Sequence, residues 1–367
     1  MRERAKHIII AVTNDIHYDQ RMQRIAGSLS NHYTTTLVGR TKFKGQRPPS
    51  LSNVSTHLLP CRFTKGKWFY LEYQLRLMLY LFRSQFDAIY CVDLDTLWGG
   101  FPMAYLRRKK RIFDAHEYFT EVPEVIHRPF IRYAWMVTAR IWIPKSHLCF
   151  TVNQSLADIF VKKYEVLFTA IHNMPIFKEG NVPDKKPEKI ILYQGVLNMG
   201  RGLEEIISTM PLLPDYQLWI AGEGDLSKTL RELAHTLNVS RQVHFLGYLK
   251  PIELDRITPL CSIGINLLYG TSLNYYYSLA NKFFDYVQAG IPQITMDFPV
   301  YQKFNTQFQV ALLIEDLQKD TLCAAIKALE NEQLYHQLKD NCFKASKTWV
   351  WQSESQQLLL SVAKIWS

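Results

Sequence analysis

The chain has 367 residues, 47% of them apolar and 21% charged, with a net charge of +10. That length suits two domains better than one compact core, and the composition excludes a disordered or low-complexity chain. Six dispersed cysteines (Cys61, Cys91, Cys149, Cys261, Cys323, Cys342) form no Cys-x-x-Cys pair, which argues against a zinc module and for reduced thiols in a cytoplasmic protein.

In chain order, Ile8–Val12 reads as a first strand, too short and too soon interrupted for a signal peptide. A polar loop, Thr13–Asp19, leads into a helix over Gln20–Ser30, and Thr34–Val38 is a second strand. Trp68–Phe82 is a helix with Leu71, Leu75, Met78, Leu79 and Phe82 as its apolar stripe and Glu72 paired with Arg76. Ala88–Val92, Arg111–Phe113 and Cys149–Val152 are short strands. The Pro- and Lys-bearing stretch Asn173–Glu188 is the linker candidate, giving domains over residues 1–175 and 190–345 around a linker at 176–189.

The strand–helix alternation then restarts. Ile190–Tyr193, Gln217–Ala221, Val243–Phe245 and Ile263–Leu268 are strands; Leu203–Met210 and Leu226–Leu237 are helices. Leu322–Trp366 is mostly helical. Two βαβ series in succession imply an α/β fold of two doubly wound, Rossmann-like domains, with ligands at the carboxyl ends of the strands. An active site in the cleft between them is the expectation. No stretch reaches about 18 uninterrupted apolar residues, so no membrane span is expected.

Charge is unevenly spread. Residues 1–177 hold 25 Lys+Arg against 13 Asp+Glu, and the rest 18 against 20. The first half carries the whole excess, including Arg107-Arg-Lys-Lys-Arg111. An anionic membrane surface or a phosphorylated acceptor would fit, as would a solvated loop with no partner. The run lacks the interleaved aromatics of a single-strand platform, so nucleic acid is not an expected partner.

The most informative segment is Ser278–Pro292, SLANKFFDYVQAGIP. It follows a buried strand and reads as a helix capped by Ser278 and stopped by Gly290 and Pro292. Its amino end is an anion site, to which Lys282 adds a cation, and Asp285 one turn later can accept two ribose hydroxyls. These residues resemble the donor helix of the retaining glycosyltransferases of family 4, which have the GT-B fold. Asp285 stands in the place of that motif's second Glu, and Asn281-Lys282 matches a common variant. Tyr277 replaces the first Glu.

Three first-half segments are similar to the same family: Thr13–Arg24 with Asp15 and Arg21, Ile112–Glu117 with Asp114, His116 and Glu117, and Cys91–Leu97 with Asp93 and Asp95. The resemblance implies that His116 hydrogen-bonds the transferred sugar, while Asp15, Arg21, Asp93, Asp95 and Glu117 lie on the acceptor side. Asp93-x-Asp95 also has the form of a divalent-metal ligand pair. It lies in the half without the nucleotide motif, however, and Asp95 reads as a helix cap, so no metal is expected. In the second half Gly195 opens a glycine loop, with Val196 and Arg201-Gly202 in the family's two cation positions, and Gly222-Glu-Gly224 forms a flexible turn near the nucleotide.

The resemblance thus implies a retaining, metal-independent glycosyltransferase with a nucleoside-diphosphate sugar as co-substrate and no other cofactor. His116, Arg201 and Lys282 would be catalytic, and Asp285, Ser278, Asn281, Gly195 and Gly222 would bind the donor. The acceptor would be a glycan or lipid-linked precursor, with the protein peripheral on the membrane's inner face. An epimerase or hydrolase on the same fold stays open, as does a silent binding protein, because Tyr277 and Val196 each replace a charge.

Overall fold

The computed structural model describes residues 4–41, 47–177 and 188–366. The chain divides into two compact units, Met1–Asn173 with Ser353–Ser367, and Met174–Gln352. Most of the expected linker, residues 178–187, lies outside the described residues.

The first unit is built on seven strands: β1 (His7–Asp15), β2 (Thr34–Arg40), β3 (Val54–Leu58), β4 (Ala88–Val92), β5 (Lys110–Ala115), β6 (Leu148–Thr151) and β7 (Phe168–Ala170). They form one parallel sheet in the order β3-β2-β1-β4-β5-β6-β7. Its helices are α1 (Gln20–Ser30), α2 (Gly66–Arg83), α3 (Leu97–Leu106), α4 (Pro123–Ile126), α5 (Pro129–Trp142) and α6 (Gln154–Tyr164). The run Ile8–Val12 is fully buried, as a parallel strand covered on both faces must be. Asp19 caps α1 by accepting the Met22 amide at 3.1 Å, and Asn153 caps α6 through Leu156 at 2.9 Å.

One sequence expectation fails in this unit. Helix α2 buries Phe69, Tyr73, Leu77 and Leu81, while the expected core stripe faces solvent, with Leu71, Leu75, Leu79 and Phe82 between 49% and 70% exposed. The helix is apolar on both sides, so periodicity cannot choose its inner face. Polar anchors choose it: the Tyr73 hydroxyl donates to Val12 O on β1 at 2.5 Å, and Gln74 bonds Asp95 O and the Gly99 amide. The expected Glu72–Arg76 pair does form, at 2.7 Å.

Three groups of the basic run bond within the fold, while Arg108 stays exposed. Arg107 Nη1 donates to Leu81 O and Ser84 O, both at 2.7 Å, satisfying carbonyls at the end of α2. Lys109 pairs with Asp87 at 3.4 Å, and Arg111 Nε donates to Lys145 O at 2.8 Å.

The second unit holds β8 (Ile190–Gln194), β9 (Gln217–Ala221), β10 (Val243–Gly247), β11 (Ile263–Asn266), β12 (Gln293–Met296) and β13 (Ala311–Ile314). They form a second parallel sheet, ordered β10-β9-β8-β11-β12-β13. Its helices are α7 (Leu203–Thr209), α8 (Ser227–Thr236), α9 (Pro251–Ile257), α10 (Leu273–Tyr276), α11 (Asn281–Gln288), α12 (Pro299–Gln307), α13 (Lys319–Ala328) and α14 (Glu332–Thr348). The last helix, α15 (Trp351–Ala363), belongs to the first unit from Ser353 onward. In each sheet the order reverses once, at β1/β4 and at β8/β11, and such switch points are where doubly wound sheets leave a crevice for ligands.

Candidate active site

At the β8/β11 switch point, two tight glycine turns shape the floor of the second unit's site. Gly195 follows β8 with φ 136°, and Gly222 follows β9 with φ 155°. A Cβ on Gly222 would lie 1.8 Å from Gly195 O, so the two backbones meet in a space that admits no side chain. The Gly222–Gly224 turn is hydrogen-bonded to its neighbours. Leu197 N bonds Glu223 O at 3.2 Å and Gly224 N bonds the Ser227 hydroxyl at 2.9 Å, which tie the turn down.

Helix α11 supplies Lys282 in its first turn and Asp285 one turn on. Lys282 is 6% exposed, and its Nζ finds no hydrogen-bond acceptor among the described residues. The ammonium lies 3.7 Å from the centroid of the Tyr193 ring. Burial, and then the nearby Arg201 charge, pull the Lys282 pKa well below its ordinary range, with Asp285 opposing them. Arg201, over the Tyr275 ring at 5.2 Å, has a buried Nε that also lacks a partner. Two cations held close together with unsatisfied donors form a site for an anion.

Asp285 is half-buried. Gln194, which the sequence reading missed, donates from Nε2 to Asp285 Oδ2 at 2.8 Å and accepts from the Thr258 hydroxyl at 3.3 Å. A glutamine ending a strand gives no signal for a contact 91 residues away.

Ser278 is not the cap of α11. The helix begins at Asn281 with Ala280 as its N-cap, and the Ser278 hydroxyl donates to Tyr275 O at 2.8 Å. The amides of Ser278 and Ala280 are spent on Tyr275 O and the Tyr301 hydroxyl, so they are not part of an anion cradle. Asn281 is exposed. Tyr277 ends α10 edge-on to Tyr276, with centroids 5.0 Å apart, and Val196 is 53% exposed.

The first unit brings its candidates to the β1/β4 switch point and the end of β5, mostly in one buried network. Asp114 is fully buried. It accepts from Arg21 Nη2 at 3.1 and 3.2 Å and from the Tyr90 hydroxyl at 2.7 Å. Despite burial, the Arg21 guanidinium and then His116 hold its pKa far below the carboxylate range. Arg21 also donates to Ile171 O at 2.7 Å, so Arg21 and Asp114 serve the interior and not an acceptor.

His116 Nε2 lies 3.0 Å from Arg21 Nε and 3.1 Å from Asp114 Oδ2. It accepts from Arg21 when neutral and donates to Asp114 when protonated. Burial works against its charge, yet Asp114 outweighs this and raises the pKa. Its backbone amide donates to Asp93 Oδ1 at 2.8 Å, and Asp93 itself holds the left-handed φ of 53°.

Asp95 is not a helix cap, because α3 begins two residues later without a side-chain cap. Its Oδ2 accepts from the Thr13 hydroxyl on β1 at 2.6 Å, whereas the buried Oδ1 has no partner among the described residues. Burial pushes the Asp95 carboxyl up to about 7. Asp15 is 5% exposed and accepts from the His17 amide at 3.1 Å and ring at 2.7 Å, so it too is turned inward. Glu117 is exposed. Among the described residues no group of three or more His, Cys, Asp or Glu side chains gathers as metal ligands, and no helix is long and apolar enough to cross a membrane.

Comparison with known proteins bears on the second unit most directly. Residues 176–347 match the family model described as Glycosyl transferases group 1. The Uncharacterized glycosyltransferase MJ1607 of Methanocaldococcus jannaschii is 36% identical over 198 residues, covering 47% of this chain. That match spans about half the length of the curated relative. Among solved structures, the sucrose-phosphate synthase of Thermosynechococcus elongatus superposes with a TM-score of 0.80 at 14% identity, covering 98% of this chain and 99% of that one. Anabaena HepE in complex with UDP and glucose gives 0.74 at 12% identity over 98% and 99% of the two chains. WaaG, a glycosyltransferase involved in lipopolysaccharide biosynthesis, gives 0.70 at 13% over 96% and 98%. The two parallel doubly wound units therefore have the GT-B fold of these glycosyltransferases.

Proposed function

We propose that this chain is a glycosyltransferase that moves a sugar from a nucleoside-diphosphate sugar to a glycan or lipid-linked acceptor, with retention and without a metal. The observation that carries this reading is the pair of unsatisfied cations, Lys282 and Arg201, at the switch point of the segment that matches the group 1 glycosyl transferases. Their natural occupant is the diphosphate of a donor such as the UDP bound by HepE. As the anomeric bond breaks, negative charge grows on that diphosphate. Preorganised cations stabilise such a charge by several kcal/mol, the work a divalent ion does elsewhere. Asp285, oriented by Gln194, takes the ribose hydroxyls and Gly195 admits close approach of the diphosphate.

In the first unit, His116 is assigned to the transferred sugar and Glu117 to the acceptor. Asp95 joins them as a hydrogen-bond acceptor for a hydroxyl through its unpartnered Oδ1. Retention follows the family resemblance, with the leaving phosphate taking the acceptor proton.

The test is thermal shift against a panel of nucleotide sugars, followed by product analysis with and without acceptor. A donor at 100 times its Kd adds about 2.7 kcal/mol of stability. Free sugar or an epimer formed without acceptor would assign the chain to the hydrolase or epimerase reading. A shift with no turnover on any acceptor would make it a binding protein.

A further inference from the structure

The fold covers only one of the two apolar faces of α2. Trp68, Leu71, Leu75, Leu79 and Phe82 are all between 49% and 70% exposed. At 3.6 residues per turn these five fall within an arc of roughly 80°, opposite the buried Phe69, Tyr73, Leu77 and Leu81. The stripe runs along a helix about 27 Å long. Phe63, 49% exposed, extends it with its ring 6.5 Å from that of Trp68. A continuous apolar surface of this kind marks an interaction site.

The charges around the stripe identify its partner. Arg62, Lys65 and Lys67 at the amino end and Arg83 at the carboxyl end are exposed, and none forms an ion pair among the described residues. The Lys67 ammonium sits 5.5 Å over the Trp68 ring. The helix's only acid, Glu72, is already neutralised by Arg76 at 2.7 Å and by the Arg62 and Phe63 amides. A second copy docked helix on helix would bring like charges together in either orientation. An anionic lipid surface meets both features: leucines for the acyl boundary, aromatic rings for the interface, cations for the phosphates.

We propose that α2 docks the protein on an anionic bilayer, lying in the membrane plane with its Trp68–Phe82 face inserted. The docking element is therefore α2 and not the Arg107–Arg111 run, whose groups mostly serve the fold. The proposal is independent of sugar transfer, since it needs no nucleotide sugar.

Flotation of the full chain with phosphatidylglycerol-containing and with pure phosphatidylcholine vesicles tests it. The wild type should float with the anionic vesicles and release with salt. L71Q/L75Q/L79Q, which alters solvent-facing positions, should keep its melting temperature and bind at least ~10-fold more weakly. K65Q/K67Q/R83Q should lose the preference for anionic lipid. Wild type that binds neither vesicle at low salt, or a triple-leucine variant that binds as well as wild type, overturns the proposal. So does self-association without lipid that the leucine substitutions abolish, which would give the face to a second copy.

Discussion

Replacing Lys282 with Met should stabilise the protein while weakening its hold on a nucleoside diphosphate. The Lys282 ammonium is buried with no hydrogen-bond acceptor, a state that costs roughly 1–3 kcal/mol in proteins. Its contact with the Tyr193 face returns about 0.5–2 kcal/mol. Methionine fills a similar volume without the charge, so the net gain should be about 1 kcal/mol, or roughly 2–4 °C in Tm. The same change removes charged hydrogen bonds to the diphosphate, worth about 1.5–3 kcal/mol, or ~10- to 150-fold in Kd.

The pH dependence has a definite sign. Below the lowered folded pKa, Lys282 is charged in both states and the folded state bears the whole cost of burying it. As pH rises from there toward the ordinary lysine value of 10.5, the unfolded state binds the extra proton and wild-type stability recovers. The Tm advantage of K282M should thus be largest at low pH and shrink as pH rises. Calorimetry in buffers of different ionisation enthalpy should also show proton uptake when wild type binds diphosphate, absent in the variant. A variant that is less stable, with unchanged diphosphate affinity, would refute the view of Lys282 as an unsatisfied cation awaiting an anion.

Other perturbations test the remaining parts of the site. Asp114→Asn should destabilise by about 3–5 kcal/mol in denaturant titration, because it strips the buried Arg21 of its counter-charge; a loss under 1 kcal/mol would contradict that role. Gly222→Ala should unfold the turn after β9 or lower Tm sharply, since its methyl would collide with Gly195 O, and a Tm like wild type would mean that the turn relaxes freely. His116→Ala should lower kcat with little change in free nucleoside diphosphate affinity, and a loss of that affinity would reverse the assigned roles. Turnover should persist in excess EDTA; loss with chelator, restored by Mn²⁺, would transfer the charge stabilisation to a metal.

The central strands of both parallel sheets were legible because fully buried strands such as Ile8–Val12 write themselves as apolar runs, whereas β3, β7, β12 and β13 were not read from the sequence. The helix of Lys282 and Asp285 was legible because the Gly290 and Pro292 stop after an apolar-periodic run is a local pattern. What the sequence hid is non-local. The inner face of α2 depends on Tyr73 reaching Val12 and Gln74 reaching Asp95 and Gly99, contacts that no periodicity encodes when both faces are apolar. Arg21 was expected on the acceptor side from the family resemblance; its pairing with Asp114 across 93 residues turns it inward. Ser278 looked like a cap because it is the nearest serine, yet α10 claims its hydroxyl.

The two switch points leave charged groups of opposite kind unsatisfied, and on the transferase reading each kind matches one of the two substrates. At β1/β4 the buried cation Arg21 has its carboxylate, and the orphan is an acceptor oxygen, Asp95 Oδ1, on a carboxyl pushed up to about 7. Such a group suits a neutral hydroxyl donor and would repel a phosphate if ionised. At β8/β11 the unsatisfied charged groups are donors, Lys282 Nζ and Arg201 Nε, which suit an anion, beside one neutral acceptor, Asn266 Oδ1. Burying either kind of orphan costs stability that packing alone would not retain. On the transferase reading each unit has therefore kept the unsatisfied group that its own substrate completes: an acceptor oxygen for a sugar hydroxyl in the first unit, and paired cations for a leaving diphosphate in the second.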